Sequence, residues 1–194
     1  MNRTCEDESV AADFVRPAEL ADAAAIAEIQ VQTWTTTPGV PTDDEVVPDI
    51  SETARAWERA IMVPPTSRHQ VWVATADDIV VGAAAIAPAA DPDLDAQRVS
   101  ELLLFVVDAS HRRKGHGSRL LTATMQSISP DADEAVTWLL TSDDPTRAYL
   151  EASGWVADGA FRSLGAAQSA EWAQDSAHDD LLIRQIRLAT RVGS

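Results

Sequence analysis

The stretch from Ser100 to Met125 constrains the fold of this chain more than any other part of the sequence. The apolar run Leu102–Val107 is too short for a helix and is rich in branched and aromatic residues, so it predicts a buried strand. After Gly117, apolar residues recur at a spacing that puts them on one face of a helix. The stretch is therefore predicted to form a strand, a turn and a helix that packs back onto the strand.

The turn in this stretch, Arg112 to Gly117, has the properties of an anion site built from main chain. Gly115 and Gly117 tolerate positive φ and let a ligand approach closely, and the N–H groups at a helix start carry roughly half a positive charge. Three consecutive basic residues open the turn, although the whole chain has only 15. Cations are unfavourable at a helix start unless an anion arrives, which favours a binding role over a merely solvated turn. His111 and His116 flank the basic residues, but no further side chain completes a ligand set, so we expect no metal.

The spacing of the turn distinguishes between anion motifs. A dinucleotide fingerprint would need a small residue where the chain has Leu120, and the phosphate loop of nucleotide hydrolases would need a lysine between Gly117 and Ser118. The pattern Arg-x-x-Gly-x-Gly, which follows a strand ending at Val107, instead resembles motif A of the GNAT superfamily of N-acetyltransferases. In that family the loop holds the pyrophosphate of acetyl-CoA.

Composition limits the partners that this chain can have. A net charge of −16 argues against nucleic acid and anionic membrane surfaces and favours amine-bearing partners, although a solubility or salt adaptation explains the total charge better. The single cysteine, Cys5, provides no disulfide framework, and Met1–Ala12 lacks the basic start and apolar core of a signal peptide. No stretch reaches the roughly 20 apolar residues of a membrane span. These features together predict a cytoplasmic location.

The order of the predicted elements indicates an α/β protein with one domain. Residues 1–12 show no periodicity and are predicted to be a disordered tail, which leaves 13–194 as a single domain. The predicted elements are, in order, a strand at 13–16, a helix from Asp22 to Trp34, a helix at 50–62 capped by Ser51 or Thr53, strands at 71–75 and 79–86, the central strand, the motif helix, a strand at 135–140, a helix from 143 to 154, and strands at 155–164 and 180–189.

This order resembles that of the GNAT fold over about residues 13–189. Three local resemblances support it: Ile29–Trp34 is similar to the end of the family's first helix, Val80–Gly82 to its third strand, and Leu150–Trp155 to its last helix. The resemblance implies a GNAT-like mixed, mostly antiparallel central sheet with flanking helices. It also implies that the central strands, at 99–107 and 135–141, splay apart to admit the cofactor.

The resemblance implies acetyl-CoA as cosubstrate and gives the residues that would hold it. Backbone N–H groups from Arg113 to Ser118 would bind the pyrophosphate, with Arg112 as a charge partner. The main chain of Phe105 to Val107 would pair with the amides of the pantetheine arm, as an added strand does. The predicted cofactor-binding residues are therefore Phe105, Val106, Val107, Arg112, Arg113, Lys114, Gly115, His116, Gly117 and Ser118.

Glu101 is the candidate general base. A primary amine with a pKa near 10.4 is only about one part in a thousand or fewer unprotonated at pH 7, so a base that acts through water helps acetyl transfer. On a regular strand Glu101 would share a face with Leu103, Phe105 and Val107, and it matches a position that carries a catalytic glutamate in some family members. A solvated residue at the end of a strand is the alternative interpretation.

Tyr149 is the candidate general acid for the departing thiolate, and here the chain departs from the family pattern. The family's tyrosine lies four residues before the glycine that ends the last helix. Four residues before Gly154 this chain has Leu150, and its tyrosine, Tyr149, is one position earlier. One residue rotates a helical side chain by about 100°. Either the helix start is rewound to bring Tyr149 to the sulfur, or Tyr149 packs and the acid is missing; Leu150→Tyr would then restore the family spacing and preserve activity. A thiol with a pKa near 8.5 leaves tolerably unaided, so losing the acid would cost about 10²-fold in rate.

The expected function is direct transfer of an acetyl group from acetyl-CoA to a primary amine of a small molecule or peptide, within a ternary complex. A non-catalytic acyl-CoA-binding protein and an interaction module with neither activity are the alternatives. The loops at 35–49, 62–70 and 165–179 would select the acceptor, which the sequence does not identify. A homodimer is also predicted, because Leu181–Ile183, Ile186 and Leu188 would make an apolar edge strand.

Overall fold

In the computed structural model, the described residues are 14–38, 40, 47–128, 130–164 and 183–192. The elements are, in chain order, β1 (Phe14–Pro17), a 3₁₀ turn (Leu20–Asp22), α1 (Ala23–Thr36), α2 (Ile50–Met62), β2 (Gln70–Ala76), β3 (Ile79–Pro88), β4 (Val99–Val107), a second 3₁₀ turn (Ala109–His111), α3 (His116–Ile128), β5 (Glu134–Leu140), α4 (Asp144–Ala152), β6 (Val156–Leu164) and β7 (Ile183–Arg191). This is the predicted order, while the predicted tail and the segment 165–179 lie outside the described residues. None of the helices in the described ranges is both long and apolar enough to cross a membrane.

The described strands form one seven-stranded sheet in the order β1-β2-β3-β4-β5-β7-β6. Strands β4 and β5 run parallel, and every other neighbouring pair is antiparallel. Helices flank the sheet, with α3 packed against β2, β3 and β4 and α1 packed against β3 and β4. The fold is therefore a mixed, mostly antiparallel sheet with flanking helices, which confirms the predicted fold class.

Helix α2 covers the predicted residues, but its N-cap is a different residue. The Asp49 carboxylate accepts a hydrogen bond from the Glu52 N–H at 2.8 Å, and the Asp49 backbone is extended, with φ −64° and ψ 128°. The predicted caps, Ser51 and Thr53, lie inside the helix. A capping side chain must stand on the residue just before the helical backbone begins, which is why Asp49 takes the role.

Two apolar clusters fill the opposite faces of the sheet. On one face, Leu102 of β4 packs with Leu120 of α3 and Leu150 of α4, and all three side chains are at most 2% exposed. On the other face, Val106 of β4 packs with Ile26 of α1. Strand β4 therefore contributes to both clusters and lies at the centre of the molecule.

A β-bulge at Leu103 interrupts the pairing of β4 with β3. Ala85 is opposite Leu104, but the next residue of β3, Ile86, is opposite Leu102, so Leu103 has no partner and its side chain is 56% exposed. An extra residue reverses the alternation of side chains along the strand. The face that a β4 side chain takes before the bulge is therefore opposite to the face that regular alternation predicts.

On its other edge, β4 pairs with β5 over only a short distance. Residues Val99–Glu101 are opposite Glu134–Val136, and the ladder ends there. In the described part of the chain, Leu102–Val107 has a strand partner on the β3 edge alone. The implied splay of the two central strands is therefore present, and it leaves the second half of β4 with an open main-chain edge.

The C-terminal strands differ from the prediction in which of them forms the edge. Strand β7 lies between β5 and β6, so Leu188 is fully buried and Ile186 packs against the core. The edge strand is β6, where Val156 is 66% and Phe161 is 80% exposed. The argument for a dimer through an apolar β7 edge is therefore wrong, because β7 has a partner on both sides; residues 181 and 182 lie outside the described residues.

Candidate active site

A cavity of about 660 Å³ lies at the open edge of β4. Its walls come from the end of β4, the turn and first residues of α3, the first turn of α4 and the C-terminal end of α1. The β4 wall consists of Phe105, Val106 and Val107, three of the predicted cofactor-binding residues. Because β4 has no strand partner on the β5 side at this level in the described ranges, its main chain there can bind a ligand.

The basic turn adopts the backbone geometry of an anion site. Gly115 has φ +86°, which glycine adopts at little cost, and Arg113 has φ +62°, which is uncommon for a residue with a side chain. Helix α3 begins at His116, so the N–H groups of its first turn have no partner within the helix. The Arg112 Nε donates a hydrogen bond to the Val107 carbonyl at 3.1 Å, which ties the turn to the end of β4.

Eight of the ten predicted cofactor-binding residues line this cavity, and two do not. Arg112, Arg113 and Ser118 lie in its wall with both glycines and the three β4 residues. Lys114 is exposed and lies outside the wall. The His116 side chain is also outside it; this imidazole is 2% exposed and its Nδ1 lies 3.1 Å from an Arg119 guanidinium nitrogen.

Gly117 faces the cavity beside the aromatic rings of Phe105 and Tyr149. A Cβ built there would lie 3.5 Å from the Phe105 ring, 3.7 Å from the Val107 side chain and 4.0 Å from the Tyr149 ring. Gly117 itself is not among the glycines with positive φ. Its contribution is therefore the space that its missing side chain leaves, and the positive φ belongs to Gly115.

Asp108 braces the segment between β4 and the turn. Its carboxylate accepts hydrogen bonds from the Ser110 side chain, the His111 imidazole at 2.9 Å and the Ser110 backbone N–H at 2.9 Å. The bond from the Ser110 hydroxyl and then the bond from His111 hold the pKa of this carboxyl below its usual value. Asp108 therefore stays ionised and keeps the start of the anion turn in place.

Tyr149 points into the cavity. Its ring stacks on Phe105 with centroids 5.6 Å apart and planes 10° from parallel, and its hydroxyl lies 3.4 Å from the Ser118 Oγ. The neighbouring Leu150 is 0% exposed and belongs to the core. A tyrosine at position 150 would have to enter a filled core, so we now expect Leu150→Tyr to lower stability and not to preserve activity.

Glu101 lies on the opposite face of β4 from the one predicted. Leu102 and Phe105 pack in the same cluster although they are three residues apart, because the bulge at Leu103 reverses the alternation. Glu101 therefore shares the α1 face with Val106 and does not share the face of Phe105 and Val107. Its carboxylate is buried, 6% exposed, accepts a bond from the Ala90 N–H at 3.3 Å, and is not part of the cavity wall.

Sequence reasoning missed the contribution of the end of α1. Thr33, Thr36 and Thr37 line the cavity, because α1 continues two residues beyond the predicted end at Trp34. The hydroxyls of Thr36 and Thr37 donate to carbonyls four residues back, at 2.8 and 2.7 Å, and so satisfy the end of the helix. The run of threonines after Trp34 was the available signal.

Asp143, the residue at which the last helix was predicted to start, also lies in the cavity wall. Its carboxylate accepts a bond from the Thr146 N–H at 3.2 Å, and it is thereby the N-cap of α4. Both residues line the cavity, together with Pro145. The first turn of α4 thus forms the wall that faces the anion turn.

Comparison with known proteins identifies the fold and the family. Residues 30–163 match the domain family described as Acetyltransferase (GNAT) domain, which is more than half of the chain. The chain belongs to the GNAT acetyltransferases. Acetyl-CoA is the cosubstrate of this family, in agreement with the resemblance seen in motif A. No curated protein sequence matches the chain.

Solved GNAT structures share the fold over almost the whole chain. yncA of Salmonella typhimurium, a candidate acetyltransferase with its cofactor acetyl-CoA, is 16% identical with a TM-score of 0.67, covering 94% of this chain and 95% of its own. An N-acetyltransferase of Staphylococcus aureus Mu50 is 17% identical with a TM-score of 0.67, covering 93% and 99%. A ribosomal-protein-alanine N-acetyltransferase of Brucella melitensis is 18% identical with a TM-score of 0.66, covering 92% and 99%. At these identities the likeness concerns the GNAT fold.

Proposed function

We propose that this GNAT protein transfers the acetyl group of acetyl-CoA directly to a primary amine. The observation that carries the proposal is the single cavity that joins a main-chain anion site to the open edge of β4, with a tyrosine hydroxyl in its wall. An anion site alone would suit many phosphate ligands. An anion site beside an unpaired strand edge suits a phosphate that carries an extended amide-containing arm.

The residues present match two parts of acetyl-CoA, the pyrophosphate and the pantetheine arm. Gly115, Gly117 and Ser118, at the start of α3, would direct N–H groups to the pyrophosphate, and Arg112 and Arg113 would supply positive charge. Main-chain groups of Phe105–Val107 would pair with the amides of the arm. Lys114 and His116 would act through their backbone, since their side chains do not line the cavity.

Tyr149 is the proposed general acid. The amine nitrogen attacks the thioester carbonyl carbon, the carbon–sulfur bond breaks, and the departing thiolate takes a proton from the Tyr149 hydroxyl. The proton that the nitrogen loses as the amide forms passes through water to the tyrosinate, which restores the acid. The stacking of this ring on Phe105 fixes its position, and the hydroxyl lies 3.4 Å from the Ser118 Oγ, inside the cavity. A positioned acid of this kind accelerates the step by about 10² to 10⁴.

Glu101 is the proposed general base, which would receive the proton of the acceptor ammonium through water. It lies at the last paired residue of β4, where the gap to β5 begins, and on the α1 face. Tyr149 approaches β4 from the other face, where Phe105 lies. An acid and a base on opposite faces of a splayed strand would let the amine and the thioester meet across the gap without a covalent enzyme intermediate.

Release of the free CoA thiol from acetyl-CoA, measured with a panel of small amines and peptides, tests the proposal. We expect acceptor-dependent thiol release by the wild type. A protein that binds CoA in calorimetry but releases no thiol with any acceptor would instead be a non-catalytic acyl-CoA-binding protein. A protein that CoA neither binds nor stabilises against heat would have neither role.

A further inference from the structure

The Thr137 side chain lies at the point where β4 and β5 separate. The ladder pairs each residue of Val99–Glu101 with the residue 35 positions later, ending at Glu101 and Val136. The next pair in this register would be Leu102 and Thr137. Leu102 and Thr137 do not form a ladder pair, so the pairing of β4 with β5 ends between Glu101 and Leu102.

The Thr137 side chain takes the place of the missing main-chain bond. Its Oγ1 donates to the Leu102 carbonyl at 2.8 Å, and Thr137 and Leu102 are 4% and 2% exposed. A buried carbonyl without a donor is strongly unfavourable, so a strand pair that separates inside the core must satisfy the last carbonyl by other means. A threonine hydroxyl does so without bringing the next N–H of β5 close to β4.

The other edge of β4 changes at the same level. The bulge residue, Leu103, follows Leu102 directly, so the altered pairing with β3 and the end of pairing with β5 meet at one carbonyl. Beyond it, the main chain of Leu104–Val107 remains paired with β3 and open towards the cavity. The width of the opening between β4 and β5 therefore depends on which donor bonds to the Leu102 carbonyl.

We propose that Thr137 is a positioning residue that holds the gap open for the pantetheine arm of the cosubstrate. The inference rests on the proposed function. Without the hydroxyl, the Leu102 carbonyl can regain a donor only if β5 moves closer and extends the ladder, or if water enters the core. Either change alters the gap where the arm lies, whereas the anion turn at 112–118 belongs to other elements and keeps its geometry.

Calorimetry on three variants with two ligands tests this inference. Thr137→Val removes the donor at nearly constant volume, and Thr137→Ser keeps the donor but loses a methyl group. The matched control is Thr124→Val, because the Thr124 hydroxyl is equally buried but donates at 2.8 Å to the Leu120 carbonyl of its own helix. The ligands are CoA and adenosine 3′,5′-bisphosphate, which has the nucleotide but no pantetheine arm.

We expect Thr137→Val to lower the affinity for CoA by about tenfold or more. Its affinity for adenosine 3′,5′-bisphosphate should change by less than about threefold, because the anion turn is unaffected. Thr137→Ser should bind CoA like the wild type although its melting temperature is lower, and Thr124→Val should bind both ligands like the wild type. If Thr137→Val does not fold, Thr137→Ala compared with Thr137→Ser isolates the hydroxyl, since both lack the methyl group.

Unchanged CoA affinity in Thr137→Val would overturn the inference, as would an equal loss of affinity for both ligands or an equal loss in Thr124→Val. An affinity loss in Thr137→Ser as large as that in Thr137→Val would also overturn it, because the donor is then irrelevant. Failure of the wild type to bind CoA is a different result, which removes the proposed function itself.

Discussion

The two edges of β4 are built differently, although they belong to one strand. Towards β3, pairing runs from Gly82 opposite Val107 to Pro88 opposite Ser100, with one bulge. Towards β5, pairing stops after three residues, at Glu101. The closed edge joins β4 to the sheet, and the open edge leaves main-chain donors and acceptors without a strand partner among the described residues, so that a ligand can bind them. The same strand can therefore anchor the core and offer a binding surface.

The residues on each side match this division. The partner strand β3 carries small side chains, Ala83, Ala84 and Ala85, all at most 4% exposed, which let helices approach the sheet from both faces. On the open side, Phe105 of β4 instead stacks on Tyr149 of α4 in the wall of the cavity. Substitutions on the closed edge should therefore change stability, and those on the open edge should change ligand affinity or turnover.

The largest expected effect is at Gly117, on the open side. Gly117→Leu should lower CoA affinity by at least about 100-fold, because a side chain beyond Cβ would occupy the space in front of Phe105 and Tyr149. Calorimetry gives the affinity, and the melting temperature should stay close to that of the wild type. Gly117→Ala is the control, since its Cβ would make only ordinary contacts. Tight CoA binding by Gly117→Leu would contradict the assignment of the cavity.

Tyr149→Phe is expected to lower turnover by about 10²-fold while CoA affinity is unchanged. Phenylalanine keeps the stacking on Phe105 and removes only the hydroxyl, so the loss should occur in the transition state. Steady-state kinetics with a saturating amine measure it. Ser118→Ala, which keeps the tyrosine hydroxyl but removes the oxygen 3.4 Å from it, should lose less turnover than Tyr149→Phe. Near wild-type turnover in Tyr149→Phe would mean that the ring only packs and that the reaction proceeds without this acid.

Gly82→Ala tests the closed edge. A Cβ there would lie 2.9 Å from the Val106 carbonyl oxygen, which is backbone and must shift to accommodate it. We expect a loss of about 2 kcal/mol in the free energy of unfolding, measured by denaturant titration. CoA affinity of the folded fraction should change by less than about threefold. A selective loss of CoA affinity without a loss of stability would show that the two edges are not separable in this way.

The smallest expected effect is at the surface where β4 and β5 are still paired. Arg98 and Asp133 form an ion pair there, with 70% and 65% of their side chains exposed, while the Asp133 N–H donates to the Arg98 carbonyl at 2.9 Å. Asp133→Ala removes only the exposed pair, so the melting temperature should change by less than about 2 °C. A larger shift in melting temperature, persisting in high salt, would show that the paired start of β4 and β5 depends on this ion pair.

Local patterns in the sequence determined the element order, the anion turn and the family. Apolar runs, glycines and caps act within a few residues, so the strand that ends at Val107, the turn at Gly115 and the helix after it can be predicted without their neighbours. The hairpin turn at Asp77 and Asp78, with φ +49° and +62°, is another local feature of this kind. The fold class follows from the order of such elements.

The geometry of the candidate site depends on single-residue shifts that only tertiary packing decides. The bulge at Leu103 comes from pairing with β3 and moves Glu101 to the other face of β4, because strand side chains alternate with a period of two. Leu150 packs in the core, and Tyr149, one residue earlier, therefore points to the cavity, because one residue on a helix is a rotation of about 100°. The bond from Thr137 to Leu102 joins residues 35 positions apart, and no local pattern encodes it.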